Sequence, residues 1–187
     1  HLKNRNGIEA LNVIKRGLEI DDTNSILNLM NADLLVQNEK LELAEKLYLK
    51  AIKYSDDPGP IMRKLLFVYI DMGKDIQAID FSNELLDKYP NDPDLYYNVG
   101  VLYQRLTIEL FDPTRELFLT TTTDSEPATI IKVYQSFRTS RQYAYNAKDY
   151  FLQASDLELD GNISTSKAVS EMRKLMDQID ELFIPSI

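Results

Sequence analysis

Residues 44–51 read Ala-Glu-Lys-Leu-Tyr-Leu-Lys-Ala, a stretch in which two small residues flank one aromatic residue at helical spacing. Alanine recurs 34 residues to either side of Ala44, at Ala10 and Ala78. A fixed step of roughly 20 to 50 residues indicates repeated supersecondary units, and about 34 residues is the length of one helix–turn–helix unit. The step therefore predicts an all-α solenoid built from antiparallel helix pairs.

Two further sets of residues keep the same step of 34: Gly17, Ala51 and Leu85, and Ala32, Leu66 and Gly100. Small residues that recur on both helices of a unit let the helix axes approach to about 8 Å. We therefore expect close helix crossings at these positions, with Gly100 at one of them.

Composition restricts the classes of partner. The 187 residues include 30 acidic and 21 basic side chains, which give a net charge of −9. A surface of that sign repels phosphate backbones and anionic lipid, so nucleic acid is not the expected partner. The longest apolar run, residues 65–70, is far shorter than the ~20 residues that span a bilayer, and predicts no membrane insertion in this segment.

Turn residues punctuate the repeat. Apolar periodicity predicts helices over residues 8–20, 25–37, 41–54, 61–72 and 75–89. Gly73 stands between the last two, where a residue with positive φ is often needed. Asp92 is a predicted N-cap, and Pro93 follows it at the first helical position.

A pattern of small and aromatic residues, with a proline that closes the second helix, includes Ala78, Leu85, Pro90, Tyr96, Gly100 and Tyr103. These residues give the sequence a resemblance to the tetratricopeptide repeat (TPR) family. It covers nearly the whole chain, although Ser82 stands where the family prefers an aromatic residue. The resemblance implies a right-handed α-solenoid that acts as a non-catalytic scaffold for a protein or peptide partner.

The repeat is interrupted once. Ala147, Phe151 and Ala154 repeat the small–aromatic–small pattern, but Ala147 lies 69 residues after Ala78, which is 34 plus 35. We therefore expect a 35-residue insertion, around residues 106–141, which makes an enlarged hairpin in the last repeat. Its middle, 112–127, contains Pro113 and a run of threonines and is expected to be loop-like, with one helical turn at 114–119.

These patterns predict a single solenoid over residues 1–187. It divides into a partial repeat, two regular repeats, the enlarged repeat and a C-terminal capping helix: 1–24, 25–58, 59–92, 93–161 and 162–187. A chain that begins in mid-repeat is expected to be a C-terminal fragment. Its first helix should then expose apolar side chains around Leu11, Ile14 and Leu18, and could self-associate through that end.

Catalytic chemistry finds no support. His1 is the only histidine, cysteine is absent, and the six glycines form no phosphate-binding loop. Paired acids such as Asp21 and Asp22 precede helices, where they complement the helix dipole. We therefore expect no catalytic residues, no cofactor and no metal, and predict that the protein is not an enzyme.

The family resemblance implies that first helices line a concave groove. The matching residues, our candidates for partner binding, are Leu29, Asp33, Val36, Arg63, Phe67, Ile70, Tyr97, Val101 and Gln104. Three alternatives stay open: flanking helices fill the groove, the protein is an assembly adaptor that acts through the inserted hairpin, or the segment is an accessory region of a larger envelope protein or enzyme. Related 35-residue repeats that read RNA are disfavoured by the acidic charge.

The enlarged hairpin followed by a C-terminal helix is similar to cell-envelope repeat proteins of Gram-negative bacteria. This similarity implies a bacterial protein of the periplasm or cell envelope, with the cytoplasm as the alternative location.

Overall fold

A computed structural model describes residues 5–157 and 163–183 and is all-α there, which confirms the predicted fold class. Its helices pack in sequential pairs: α1 (Arg5–Ile20), α2 (Ser25–Val36), α3 (Leu41–Lys53), α4 (Gly59–Asp71), α5 (Asp75–Lys88), α6 (Pro93–Thr120), α7 (Pro127–Leu157) and α8 (Ile163–Phe183). They fall into two compact units, divided within α5 between Phe81 and Ser82. The predicted single solenoid and its repeat boundaries stay predictions, and the boundary at residues 161 and 162 lies outside the described residues.

The core of the first unit is built around the small–aromatic–small pattern of α3. Ala44 and Ala51 are fully buried and Tyr48 is nearly so, where α3 packs between α2 and α4. Their buried neighbours on α2 and α4 are Ala32, Ile61, Leu65 and Val68. Ala10, at the corresponding position of α1, is exposed, because no described helix precedes α1 to cover it.

The predicted exposure of the first helix is wrong at one residue. Ile14 is buried and Leu11 and Leu18 are half-buried, because α1 packs against α2. A β-carbon at Gly17 would meet the Leu27 side chain, so this contact is close. Val13 and Ile20 are large apolar side chains that α1 does expose.

Two turns of the first unit share one geometry, 34 residues apart. Glu39, with φ of 57°, and Gly73, with φ of 67°, adopt left-handed backbone. In each turn the next residue donates its N–H five residues back, from Lys40 to Leu35 and from Lys74 to Tyr69, both at 3.0 Å. This pair of Schellman caps confirms the predicted role of Gly73. Asp92 is also confirmed as an N-cap, because it accepts the N–H of Leu95 at 3.3 Å.

Replacing Glu39 with glycine should stabilise the first unit by about 1 kcal/mol, because left-handed backbone is unfavourable for any residue with a β-carbon. Gly73→Ala should lower stability by a similar amount. It is the matched reverse change, since a β-carbon at position 73 has no neighbour within 4 Å and affects only the backbone. Thermal unfolding followed by circular dichroism measures both variants. Equal melting temperatures for Gly73→Ala and the wild type would contradict the assignment.

The second unit contains the enlarged hairpin. α6 has 28 residues and α7 has 31, about twice the length of the other helices that precede them. The expectation of a loop over 112–127 is wrong, because α6 continues through Pro113 to Thr120 and only 121–126 connect the helices. Pro113 is exposed, while Phe111 and Thr114 are buried on either side of it. Packing against α7 thus outweighs the local cost of the proline.

Buried residues of α7 alternate strictly in steps of four and three. They are Val133, Phe137, Ser140, Ala144, Ala147, Phe151 and Ala154. Such a seven-residue period is that of a coiled coil, in which one face of a helix stays in contact with its partner over many turns. On α6, Gly100, Thr107 and Thr114 are buried at the same seven-residue spacing.

The last described helix, α8, also packs against α7. Ala168, Met172 and Ile179 are buried in one cluster with Phe137, deep in the hairpin, and Phe151, near its base. The predicted capping helix is therefore in contact with α7 through its described part, Ile163–Phe183, whereas residues 162 and 184–187 of the prediction lie outside the described residues. Because one core joins the hairpin to α8, the hairpin is an integral part of the second unit.

Candidate binding surface

Part of the predicted groove of the first unit lies at one open cleft of about 310 Å³. Helices α2, α3 and α4 supply its walls, so the cleft is held by three packed helices rather than by loops. Its lining residues are Asp33, Val36, Gln37, Tyr48, Lys64, Phe67, Val68 and Asp71. Three of the predicted residues, Asp33, Val36 and Phe67, are among them.

One acidic side chain of the cleft, Asp33, is already bound by two neighbouring side chains. The Tyr48 hydroxyl donates a hydrogen bond of 2.6 Å to Oδ1 of Asp33, and the Lys64 ammonium lies 2.9 Å and 3.0 Å from its two oxygens. Burial, together with the hydrogen bond to Asp33, raises the pKa of Tyr48, so its hydroxyl stays a donor at neutral pH. Asp33 therefore fixes the walls of the cleft to each other, and Lys64 and Asp71 are the charged lining residues that face solvent.

Phe67 is the exposed aromatic residue of the cleft. The buried side of α4 consists of Ile61, Met62, Leu65, Leu66 and Val68. Phe67 points away from that side and leaves 52% of its surface exposed. An aromatic ring that large in water, fixed on a packed helix, has the properties of an anchor for an apolar partner side chain.

The other predicted residues of the first unit are less accessible. Leu29 is half-buried and packs against the core around Ala44. Arg63 and Ile70 are also half-buried, and neither lines the cleft.

The predicted groove residues of the second unit lie along one face of α6. Tyr97, Val101 and Gln104 follow each other at steps of four and three. Tyr97 is half-buried and its ring packs on Phe151 with 5.4 Å between centroids, so much of its area supports the hairpin. Val101 is exposed and Gln104 half-buried.

Sequence reasoning missed five lining residues of the cleft: Gln37, Tyr48, Lys64, Val68 and Asp71. Lys64 and Asp71 could have been found, because they lie three residues before and four after Phe67 and thus share its helix face. Tyr48 is the aromatic residue of the small–aromatic–small pattern, and its ring is buried. Only the Tyr48 hydroxyl reaches the cleft. Residue spacing alone does not show which part of a side chain is buried and which part is accessible.

Within 5–157 and 163–183, no group of three histidine, cysteine or acidic side chains is placed to hold a metal ion. Over the same residues, no helix combines the length and apolar character needed to cross a membrane.

No protein-family model matches the sequence, and no curated protein matches it. Among solved structures, MamA is 12% identical over 92% of this chain and 86% of its own, with a TM-score of 0.46. The C-terminal part of a TPR repeat-containing protein from Cytophaga hutchinsonii is 14% identical over 98% of this chain and 77% of its own, also with a TM-score of 0.46. A monomeric IFIT1 mutant with Gppp-AAAA is 12% identical over 90% of this chain and 38% of its own, with a TM-score of 0.45. Similarity at this level concerns the arrangement of helices and leaves the partner of this chain open.

Proposed function

We propose that the chain is a non-catalytic protein-interaction scaffold that binds a peptide segment of a partner in the cleft beside Phe67. The observation that carries the proposal is the half-exposed Phe67 ring at the edge of a cleft whose walls are three packed helices. Buried aromatic anchors contribute much of the affinity at protein interfaces. Because the walls are already ordered, binding orders few side chains of the scaffold.

The polar groups of the cleft complement an apolar anchor. The Lys64 ammonium is half-exposed beside Asp33, and Gln37 and Asp71 lie on the same cleft with their side chains exposed to solvent. These groups can donate hydrogen bonds to the backbone of an extended peptide and accept hydrogen bonds from it, while Phe67 packs against one apolar side chain of the peptide. We therefore expect the partner segment to carry an aromatic or aliphatic residue flanked by polar residues.

A displayed random-peptide library, selected on the intact chain, tests this function. Fluorescence anisotropy then measures binding of the selected peptides to variants. Phe67→Ala should weaken binding by about 2 kcal/mol, roughly thirtyfold, because the substitution removes the anchor. The matched control is Leu49→Ala, which removes an exposed apolar side chain of the same unit outside the cleft, and should leave the affinity unchanged.

Two outcomes contradict the proposal: the library gives no sequence-specific peptide, or the selected peptides bind Phe67→Ala as tightly as the wild type.

The second candidate function, an assembly adaptor acting through the hairpin, rests on an apolar cleft of about 370 Å³ at its tip. Leu119 and Ile131 are exposed in the same region of the hairpin. Binding that survives Phe67→Ala and is lost in Ile131→Asp would assign the function to the tip.

A further inference from the structure

The hairpin contains a basic segment within an acidic chain. Residues 127–148 include Lys132, Arg138, Arg141 and Lys148 but no aspartate or glutamate. The remaining residues hold 17 of the 21 basic and all 30 acidic side chains, a net charge of −13. The segment belongs to α7, so its side chains are displayed on a packed helix rather than on a loop.

One side of α7 is exposed along this segment. Its polar and aromatic residues, called the basic face below, are Lys132, Gln135, Arg138, Thr139, Gln142 and Tyr145, and the exposed Ile131 lies beside them. Neighbours on this face are three or four residues apart, and the face lies opposite the buried seven-residue stripe. Two shallow clefts of about 340 and 570 Å³ lie on this surface and share Arg138 and Gln142. No acidic side chain is among the described residues that line either cleft.

The cations of the segment differ in their partners. Arg141 is held by Asp180 of α8 through contacts of 2.6 Å and 3.1 Å. Lys148 lies over the Tyr145 ring, 4.7 Å from its centroid. Arg138 and Lys132 have no carboxylate partner among residues 5–157 and 163–183. Their charges are therefore available to an external anion.

We propose that the basic face binds an acidic segment of a partner protein. Arg138 and Lys132 pair with carboxylates, and charge-assisted hydrogen bonds of this kind are stronger than neutral ones. The two cations are six residues apart, about 9 Å along the helix, which an extended peptide spans in about three residues. Gln135, Thr139 and Gln142 lie between and beside them and can bond to the backbone amides of that peptide.

Charge outside the face selects a peptide over a larger polyanion. A nucleic acid or an anionic membrane would extend past these few cations and meet the acidic remainder of the chain. A short peptide ends within the face. At about 0.15 M salt the Debye length is about 8 Å, so repulsion from distant acids is screened while direct ion pairs persist.

The test uses the full chain and a fluorescein-labelled oligo-glutamate peptide, read by fluorescence anisotropy. The wild type should bind this probe, and the affinity should fall as salt is added. Lys132→Gln with Arg138→Gln should weaken binding about tenfold or more, because both ion pairs are lost. The matched control, Arg173→Gln with Lys174→Gln, removes two exposed charges from α8 and produces the same net charge, but should keep the wild-type affinity.

Three results would overturn this inference. One is that oligo-glutamate fails to bind the wild type. A second is that both double variants lose affinity equally, which would show a general effect of net charge. The third is that oligo-uridine RNA or phosphatidylserine vesicles bind the face more tightly than the peptide does. Phe67→Ala should leave this binding unchanged, so the result is independent of the function proposed for the cleft.

Discussion

Replacing Phe137 with alanine should destabilise the second unit by about 3–5 kcal/mol, the largest effect expected of any single substitution considered for this chain. Phe137 is 1% exposed, and its ring packs against Phe111 and Phe118 with centroid distances of 6.2 Å and 5.4 Å. Truncation leaves a cavity between two long helices that cannot approach further without disturbing their other contacts. Chemical denaturation followed by circular dichroism measures the loss.

Phe67→Ala is the matched control, because the same atoms are removed from a ring that is half in water. Phe67→Ala should lower the free energy of unfolding by well under 2 kcal/mol. Hydrogen exchange adds a second readout: protection should fall in α8 as well as in the hairpin, since Phe137 and Met172 belong to one cluster. Loss of protection confined to the tip of the hairpin would refute a shared core.

The second large effect is expected at Gly100. A β-carbon there would lie 2.6 Å from Cδ1 and Cε1 of Phe151, a ring that is fully buried and has Tyr97 packed on it. Gly100→Leu should therefore overpack the crossing of α6 and α7 and cost about 1–3 kcal/mol or more. The melting temperature of the variant measures this loss.

Gly17 provides the comparison for Gly100. Its β-carbon would contact only the terminal methyl of Leu27, a flexible half-buried side chain. Gly17→Ala should be neutral or stabilising, because alanine favours helix by about 1 kcal/mol over glycine. Gly100→Ala should be destabilising despite the same preference, and Phe151→Leu should recover part of that loss. Identical shifts for the two alanine variants would show that the ring does not restrict position 100.

The close crossing at Gly100 was predictable because a repeat places equivalent residues at a fixed step. The turn at Gly73 and the N-cap at Asp92 were predictable from local residue types, since each depends on residues close in sequence. Pro113 misled the prediction for the opposite reason. Its local signal breaks a helix, and the contacts that preserve the helix, between Phe111 and Phe137, join residues far apart in the chain.

The binding surfaces depended still more on three-dimensional packing. Phe67 was found from the family resemblance, but the ion pair between Lys64 and Asp33 links residues 31 positions apart. The basic face was overlooked because its cations were counted within the whole acidic chain. Their separation from acidic side chains is visible in residues 127–148 of the sequence, but the face that they share becomes evident only when the exposed positions of α7 are distinguished from the buried ones.

The seven-residue period of the buried stripe of α7 also determines which changes in the length of the hairpin preserve its packing. Removing or adding seven residues in α6 together with seven in α7 leaves every remaining side chain on its present side of the helix. Each such paired change would move the tip by about 10 Å while the base at Gly100 and the sequence of the tip stay the same. Insertions or deletions can thus change the length of the hairpin in discrete steps of seven residues per helix, without redesign of the core.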